Sequence, residues 1–197
     1  MKLLLASASP RRAEVLRDAG FVFEIRPADV DETRQPHEAA EDYVRRVAQA
    51  KANAVADPAR AAGERAIVIA ADTIVLAEGQ ILGKPANAED GRRMLRLLSG
   101  KTHEVLTALS VINIPAAKEA LHVEKTRVEF LKMSEEEIEG YIQTGEPFDK
   151  AGAYGIQGIA GRFATRIDGC YFNVLGLPLS RLWTTLQALG WKEDGTT

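Results

Sequence analysis

The order of apolar and polar positions along the chain predicts strands and helices that follow one another. Residues 67–76 are apolar on both faces, which is typical of a central strand. A loop around Pro115 separates two further apolar segments and favours their antiparallel pairing. The predicted strands are residues 2–7, 21–26, 67–76, 105–112, 121–130 and 162–168.

Helices are predicted from capping residues and from apolar positions that recur with a helical period. Gly20, Gly100 and Gly190 each follow such a segment, as glycine often does at a helix end. The helices open at Ser9-Pro10, Pro36, Asn87, Ser134 and Pro178, and the second reaches about Ala56. Predicted buried faces comprise Val15, Leu16 and Ala19; Val44, Val47, Ala48, Lys51 and Val55; Leu95 and Leu98; and Leu179, Leu182, Trp183, Leu186 and Leu189.

At least one hairpin interrupts the alternation of helices and strands. The elements therefore predict an α/β fold on a mixed sheet flanked by helices, not a doubly wound parallel sheet. The length of 197 residues, 46% of them hydrophobic and 27% charged, fits a globular protein with one domain over residues 1–197.

Net charge, cysteine content and the length of the apolar runs indicate which partners and which cellular compartment the protein is expected to have. A net charge of −3 gives no large cationic field, so stable nucleic-acid binding is not expected. The single cysteine, Cys170, cannot form an internal disulfide, which is consistent with a reducing compartment. The apolar run near Met1 is too short for a signal peptide, and no run of about 18 apolar residues could span a membrane. We expect a cytoplasmic protein.

A first candidate for anion binding is the segment Ser7-Ala8-Ser9-Pro10-Arg11-Arg12, between a strand and a helix. A helix N-terminus offers unpaired N–H groups, and two hydroxyls with two guanidiniums would complete a phosphate site. Arginine in the first turn opposes the helix dipole, and an anion would relieve that cost. The alternative is a Ser-Pro cap followed by solvated arginines.

Three charged residues occupy positions where a charge suggests a function. Asp72 interrupts an apolar strand, so it needs a partner, a metal ion or an open strand end; a functional carboxylate is favoured over a structural one. Lys51 lies on the apolar stripe of its helix, either as a snorkelling lysine or as a ligand for an anion. Lys84 lies in a Gly-Lys-Pro loop from which a cation can reach a ligand.

Two further segments are candidates. The acids within residues 29–33, including Glu32, could hold Mg²⁺ through one or two oxygens, or could simply be solvated. Residues 149–161 carry four glycines at every third position, so the backbone is expected to lie close to a ligand or to another backbone.

Taken in order, these segments resemble the Maf family of nucleoside triphosphate pyrophosphatases. The matching stretches are residues 7–12, Asp72-Thr73, Gly83-Lys84-Pro85, residues 99–103, 149–158 and 173–178. The resemblance implies a curved mixed sheet in two lobes with a cleft between them, as in inosine triphosphatase-like folds. It also implies a divalent metal, Mg²⁺ or Mn²⁺, and makes a homodimer an expectation.

The implied reaction cleaves a nucleoside triphosphate into the monophosphate and pyrophosphate. Arg12, Lys51 and Lys84, with Ser9 and helix N–H groups, would bind the triphosphate. Asp72 would be the base. Glu32 would bind the metal together with Asp72, or would hold the attacking water. Lys51→Ala is expected to stabilise the free protein, because it would remove a cation from an apolar face.

The resemblance is to the dTTP/UTP subgroup. That subgroup has Arg at the place of Arg11 and Gln at the place of Gln157, whereas a subgroup acting on 7-methyl-GTP tends to have an aromatic residue and Glu. Thr73 is the third residue expected near the base or sugar. Modified pyrimidine nucleotides are the alternative substrate class. The alternative function is a nucleotide-binding regulator of septum formation that does not turn over.

Overall fold

The computed structural model describes residues 1–192, and within them the chain forms seven strands and six α-helices. The strands are β1 (Lys2–Leu5), β2 (Phe23–Ile25), β3 (Ala66–Ala77), β4 (Gln80–Leu82), β5 (Thr102–Asn113), β6 (Lys118–Phe130) and β7 (Ala164–Asp168). The helices are α1 (Pro10–Asp18), α2 (Ala40–Ala61), α3 (Ala88–Leu98), α4 (Glu135–Gln143), α5 (Tyr171–Val174) and α6 (Leu179–Ala188). Three short 3₁₀ turns, Glu146–Asp149, Ala151–Ala153 and Ile159–Phe163, lie between α4 and β7.

The strands form one open sheet in the order β2-β1-β3-β5-β6-β7, with β4 paired to β3. β1 pairs in parallel with β2 and β3, whereas β3–β4 and β6–β7 are antiparallel. Only four residues connect β5 to β6, and the Phe130 N–H donates to the Lys101 carbonyl at 3.0 Å, so this hairpin is antiparallel. The predicted α/β fold with a mixed sheet is confirmed.

The chain divides into two compact units. The first comprises residues 1–72, 107–124 and 176–192, and the second comprises residues 73–106 and 125–175. Each has its own apolar core.

In the first unit, α2 packs its predicted stripe on the strands. Val44 and Val47 are fully buried and Val55 is 6% exposed. Small residues at the contact let helix and sheet approach closely. The core joins Leu4, Ala6, Ala52, Val55, Ala56, Ala59, Ala66, Val68, Ala70, Ile112 and Ile114.

In the second unit, α3 and α4 pack together over the ends of the long strands. Gly91 permits this contact, because a Cβ there would lie 2.8 Å from the Ile142 side chain. The predicted caps are confirmed: Asn87 accepts a hydrogen bond from the Asp90 N–H, and Ser134 forms a capping box with Glu137. Both helices are therefore fixed at their N-termini by local sequence.

The predicted bounds of the long helix are wrong at both ends. α2 begins at Ala40 and not at Pro36, because His37 has a left-handed φ of 61° and the preceding residues form a turn. The helix continues past Ala56 to Ala61 and includes Pro58 in its last turns. Only one intrahelical hydrogen bond is lost there, and Ala59 is buried beyond it.

Two other predictions are wrong in detail. Trp183, predicted on the buried face of the last helix, is 39% exposed and rests on Trp191 and Phe21 at its edge. Ala19 is exposed, because α1 ends at Asp18. Within residues 1–192 no helix is long and apolar enough to cross a membrane.

Candidate active site

Lys51, Asp72 and Glu32 form a single ionic group in the first unit. The Lys51 Nζ lies 2.8 Å from Asp72 Oδ1 and 2.7 Å from Glu32 Oε1. Lys51 comes from the buried stripe of α2, Asp72 from the middle of β3, and Glu32 from the loop before α2. Three separate elements thus bring two carboxylates to one ammonium.

Burial differs across this group. Lys51 is 8% and Asp72 6% exposed, whereas the Glu32 side chain is 54% exposed. A buried carboxylate is costly without a partner, and the ammonium supplies it. The interpretation of Lys51 as a snorkelling lysine is therefore wrong, since its ammonium bonds inward to Asp72.

The loop that carries Glu32 is tied to α2. The Tyr43 hydroxyl donates to the Glu32 carbonyl at 2.9 Å, and Arg46 donates to the Thr33 carbonyl at 3.0 Å and to Glu38 at 2.6 Å. Burial, with the nearby Asp72 and Glu32 charges, raises the pKa of Tyr43, so its hydroxyl keeps the proton that it donates. The position of Glu32 is therefore set by the helix that also carries Lys51.

Arg12 is built into the protein and is not a solvated arginine. It is 9% exposed, its Nε donates to the Gly176 carbonyl at 2.8 Å, and its Nη1 donates to Ser7 Oγ at 3.0 Å. Burial lowers the pKa of the Arg12 guanidinium, and the Asp72 charge opposes this effect. A buried guanidinium beside a carboxylate remains a fixed cation.

The start of α1 has the features of an anion site. Ser9 is the N-cap residue and Pro10 the first helical residue, but the Ser9 side chain makes no capping bond. The first turn carries no acidic residue, and Arg11, half-buried, precedes Arg12 there. The Ser9 N–H donates to Ser7 Oγ at 3.2 Å, so Ser7 joins the helix start to Arg12. These residues present positive charge and N–H groups together.

The remaining predicted site residues, Thr73, Lys84 and Gln157, lie in the second unit. Lys84 is exposed on the loop between β4 and α3, and the neighbouring Gly83 carbonyl accepts from the Gly152 N–H at 3.0 Å. Gln157 is exposed in a turn. Thr73 is half-buried in β3, directly after Asp72, so the two side chains point to opposite faces of the sheet.

The glycines of residues 149–161 pack against other parts of the second unit. A Cβ on Gly152 would lie 2.7 Å from the Val75 side chain, and its φ of +70° is left-handed. A Cβ on Gly155 would lie 2.6 Å from Lys150, and one on Gly158 would lie 2.0 Å from Glu146. A Cβ on Gly161 would lie 2.4 Å from the Ile156 carbonyl oxygen, which is the predicted approach to another backbone. At the other three glycines the neighbour is a side chain and not the predicted ligand or backbone.

The predicted metal ligands, Glu32 and Asp72, are the two carboxylates on Lys51. Among residues 1–192 no group of three or more His, Cys, Asp or Glu is placed to hold a metal ion. Two carboxylates together with phosphate oxygens are nevertheless a usual ligand set for Mg²⁺. The donor chemistry of this pair therefore fits a metal that enters with a phosphate ligand.

Sequence reasoning did not assign roles to Tyr43 or Gly176. It placed the Ser7 hydroxyl in the phosphate site, but not as the acceptor that holds Arg12 and the Ser9 N–H. Tyr43 lies one helical turn before Val47, beside the predicted apolar stripe of α2, but the apolar pattern does not indicate that its hydroxyl bonds the preceding loop. Gly176 accepts the Arg12 hydrogen bond through its backbone carbonyl, and a pattern of side chains along the sequence does not predict such a bond.

A family model described as "Maf-like protein" matches residues 2–189. The chain belongs to the Maf family. Three curated relatives named "dTTP/UTP pyrophosphatase" are similar over nearly their whole length. The protein of Caldicellulosiruptor bescii is 47% identical, with 96% of each chain covered. That of Hahella chejuensis is 48% identical over 97% of this chain and 94% of its own. That of Koribacter versatilis is 48% identical over 96% of this chain and 95% of its own.

A solved structure shares the fold of this Maf protein. The Ham1 protein of Staphylococcus aureus aligns with a TM-score of 0.54 over 95% of this chain and 99% of its own, at 14% sequence identity. At that identity the likeness concerns the fold alone. The family and the fold class predicted from the sequence are both confirmed.

Proposed function

We propose that this protein hydrolyses dTTP and UTP to the nucleoside monophosphate and pyrophosphate. Water adds across the phosphoanhydride bond between the α and β phosphates, so one molecule of water is consumed for each triphosphate. The observation that carries the proposal is the Lys51 ammonium held between Asp72 and Glu32, in the same unit as the cationic start of α1. The names of full-length relatives at 47–48% identity support the substrate.

Asp72 is the proposed general base. Its Oδ1 is engaged by Lys51 at 2.8 Å, which fixes the orientation of the carboxylate on the strand. A positioned base removes a proton from the attacking water as the bond to phosphorus forms. Glu32, half exposed and on the same ammonium, either orients this water or binds a metal.

Positive charge is the second requirement, because the leaving pyrophosphate carries several negative charges. Arg12, Lys51 and Lys84 are the proposed phosphate ligands, together with Ser9 and the N–H groups at the start of α1. Arg12 is already held by Ser7 and Gly176. A cation fixed before substrate binds needs little rearrangement as charge develops.

A divalent cation, Mg²⁺ or Mn²⁺, is the proposed cofactor, held by Glu32 and Asp72 with substrate phosphates. When bound, it would neutralise phosphate charge. Arg11, Thr73 and Gln157 are the proposed contacts to the base or sugar. The Gln157 amide offers a donor and an acceptor, which suits the imide edge of uracil or thymine. A homodimer and a cytoplasmic location remain predictions from the sequence.

The deciding experiment measures pyrophosphate release from dTTP, UTP, CTP, ATP, GTP and 7-methyl-GTP with Mg²⁺ or Mn²⁺. We expect dTTP and UTP to give the highest kcat/KM. Asp72→Asn serves as the matched inactive control. A protein that binds UTP in calorimetry but releases no pyrophosphate would instead be the nucleotide-binding regulator.

A further inference from the structure

The turn that carries Gln157 is held at both ends by one pair of side chains. Residues 155–158, here called the Gln157 turn, close with the Gly158 N–H donating to the Gly155 carbonyl at 3.1 Å. Gln157 is the third of the four residues and is exposed. With glycine at both ends, this turn has unusual conformational freedom of its own.

Tyr141 and Glu146 remove that freedom. The Gly155 N–H donates to the Tyr141 hydroxyl at 3.2 Å, and the Ile159 N–H, just beyond the turn, donates to Glu146 Oε2 at 3.1 Å. The Tyr141 hydroxyl donates in turn to Glu146 Oε1 at 2.9 Å. One phenol–carboxylate pair therefore bonds the backbone on both sides of Gln157.

The pair is itself rigid. Tyr141 is fully buried in the core of the second unit, and Lys150 Nζ donates to the Glu146 carbonyl at 2.6 Å. The carboxylate lies directly against the turn, since a Cβ on Gly158 would approach Glu146 Oε1 to 2.0 Å. A side chain at position 158 would therefore displace the carboxylate that anchors the turn.

We infer that Tyr141 and Glu146 are positioning residues for base selection, acting through Gln157. The inference rests on the proposed function, in which the Gln157 amide pairs with the imide edge of a pyrimidine. Discrimination by hydrogen bonds depends on angles, so a recognising amide on an unanchored turn would lose selectivity. Selection for uracil or thymine then depends on Tyr141 and Glu146 as well as on Gln157, and of these three residues only Gln157 contacts the base.

The test compares kcat/KM for UTP with that for ATP, whose adenine edge lacks the imide arrangement. Tyr141→Phe keeps the buried ring and removes the hydroxyl. We expect the UTP:ATP ratio to fall about three- to tenfold, chiefly through the KM for UTP, while the rate with ATP stays nearly unchanged. Glu146→Gln is the second variant, with the same direction expected. It guards against a Tyr141→Phe protein that fails to fold.

A double-mutant cycle separates positioning from general damage. In a Gln157→Ala background, Tyr141→Phe should leave the UTP:ATP ratio where Gln157→Ala alone puts it. Tyr154→Phe is the matched control: it removes another buried phenol hydroxyl of the same unit, bonded to His103 Nε2 at 2.9 Å and not to the turn. Tyr154→Phe should lower the melting temperature but leave the UTP:ATP ratio of kcat/KM at its wild-type value.

Three results would overturn the inference. The first is an equal loss of kcat/KM with UTP and ATP in Tyr141→Phe. The second is a fall in the UTP:ATP ratio that persists when Gln157 is already Ala. The third is a Gln157→Ala protein with the wild-type ratio. Failure of the proposed function looks different, because the wild type itself would then release no pyrophosphate from UTP.

Discussion

The Lys51 ammonium lies 2.8 Å from the Asp72 carboxylate, and both side chains are about nine-tenths buried. The two residues are 21 positions apart, one on α2 and one on β3. A buried charge pair adds little net stability against an apolar pair, but the removal of one partner is expensive. The stability of the free protein and the geometry of the proposed base therefore depend on the same bond.

The first prediction concerns the stability of a Lys51→Met variant. The expectation that Lys51→Ala stabilises the protein assumed a cation on an apolar face, but the Lys51 ammonium is paired with both Asp72 and Glu32. Lys51→Met should instead lower the free energy of unfolding by about 3 kcal/mol, because a buried carboxylate loses its partner. Urea denaturation at pH 7 measures the change.

Lys101→Met is the matched control, since Lys101 pairs with Glu78 at 2.7 Å while both side chains are about half exposed. Its cost should stay below about 1 kcal/mol. Equal costs for the two substitutions would contradict the role given to burial. Asp72→Asn in the Lys51→Met background should recover part of the loss.

The second prediction concerns catalysis by Asp72. Asp72→Asn keeps the shape and one acceptor oxygen for Lys51, but an amide cannot act as the base. We expect kcat for UTP to fall about 10²–10⁴-fold with KM little changed. Steady-state pyrophosphate release is the measurement. A folded Asn variant with the wild-type kcat would assign Asp72 another role.

Local patterns predicted most of the fold. The stripe on α2, the central strand β3 and the caps at Asn87 and Ser134 were all predicted, because each is determined by residues within a few positions. The start of α2 was not, because the left-handed His37 depends on the turn around it and not on Pro36. The exposure of Trp183 depends on how its helix packs, which periodicity does not fix.

For the candidate site, the sequence indicated the residues but not their bonds. Asp72 and Lys51 were each unusual on an apolar background, and no local rule shows that they pair. The support of Arg12 by the Gly176 carbonyl joins positions 164 residues apart. Likewise, the glycine spacing predicted a close approach, but Glu146 as the contacting group at Gly158 emerges only from the folded chain.

The third prediction addresses the choice between UTP and 7-methyl-GTP. Arg11 should repel a cationic methylated purine, whereas an aromatic face and a carboxylate would favour it. We expect the wild type to prefer UTP and the Arg11→Trp, Gln157→Glu double variant to shift the kcat/KM ratio toward 7-methyl-GTP. A wild type that prefers the methylated purine would exclude the assignment. An unchanged ratio in the double variant would exclude these two residues as its cause.

The last prediction follows from His103, which is 2% exposed in the core of the second unit. Its Nε2 lies 2.9 Å from the Tyr154 hydroxyl, and its Nδ1 has no hydrogen-bond partner within residues 1–192. Burial raises the pKa of Tyr154, so the phenol keeps its proton. Burial lowers the pKa of His103 from 6.5 to about 4, because a protonated ring would be desolvated in an apolar core.

Between pH 6.5 and about 4, His103 is therefore protonated in the unfolded chain but neutral in the folded protein. The contribution of His103 to the free energy of unfolding is complete above pH 6.5. It is lost as the pH falls from 6.5 to about 4, by about 3 kcal/mol at most.

His103→Gln keeps a polar side chain and does not titrate. Urea denaturation at pH 7 and pH 5 should therefore show a smaller fall in unfolding free energy for His103→Gln than for the wild type. Equal slopes for the wild type and His103→Gln would mean that His103 is protonated as readily in the fold as in water.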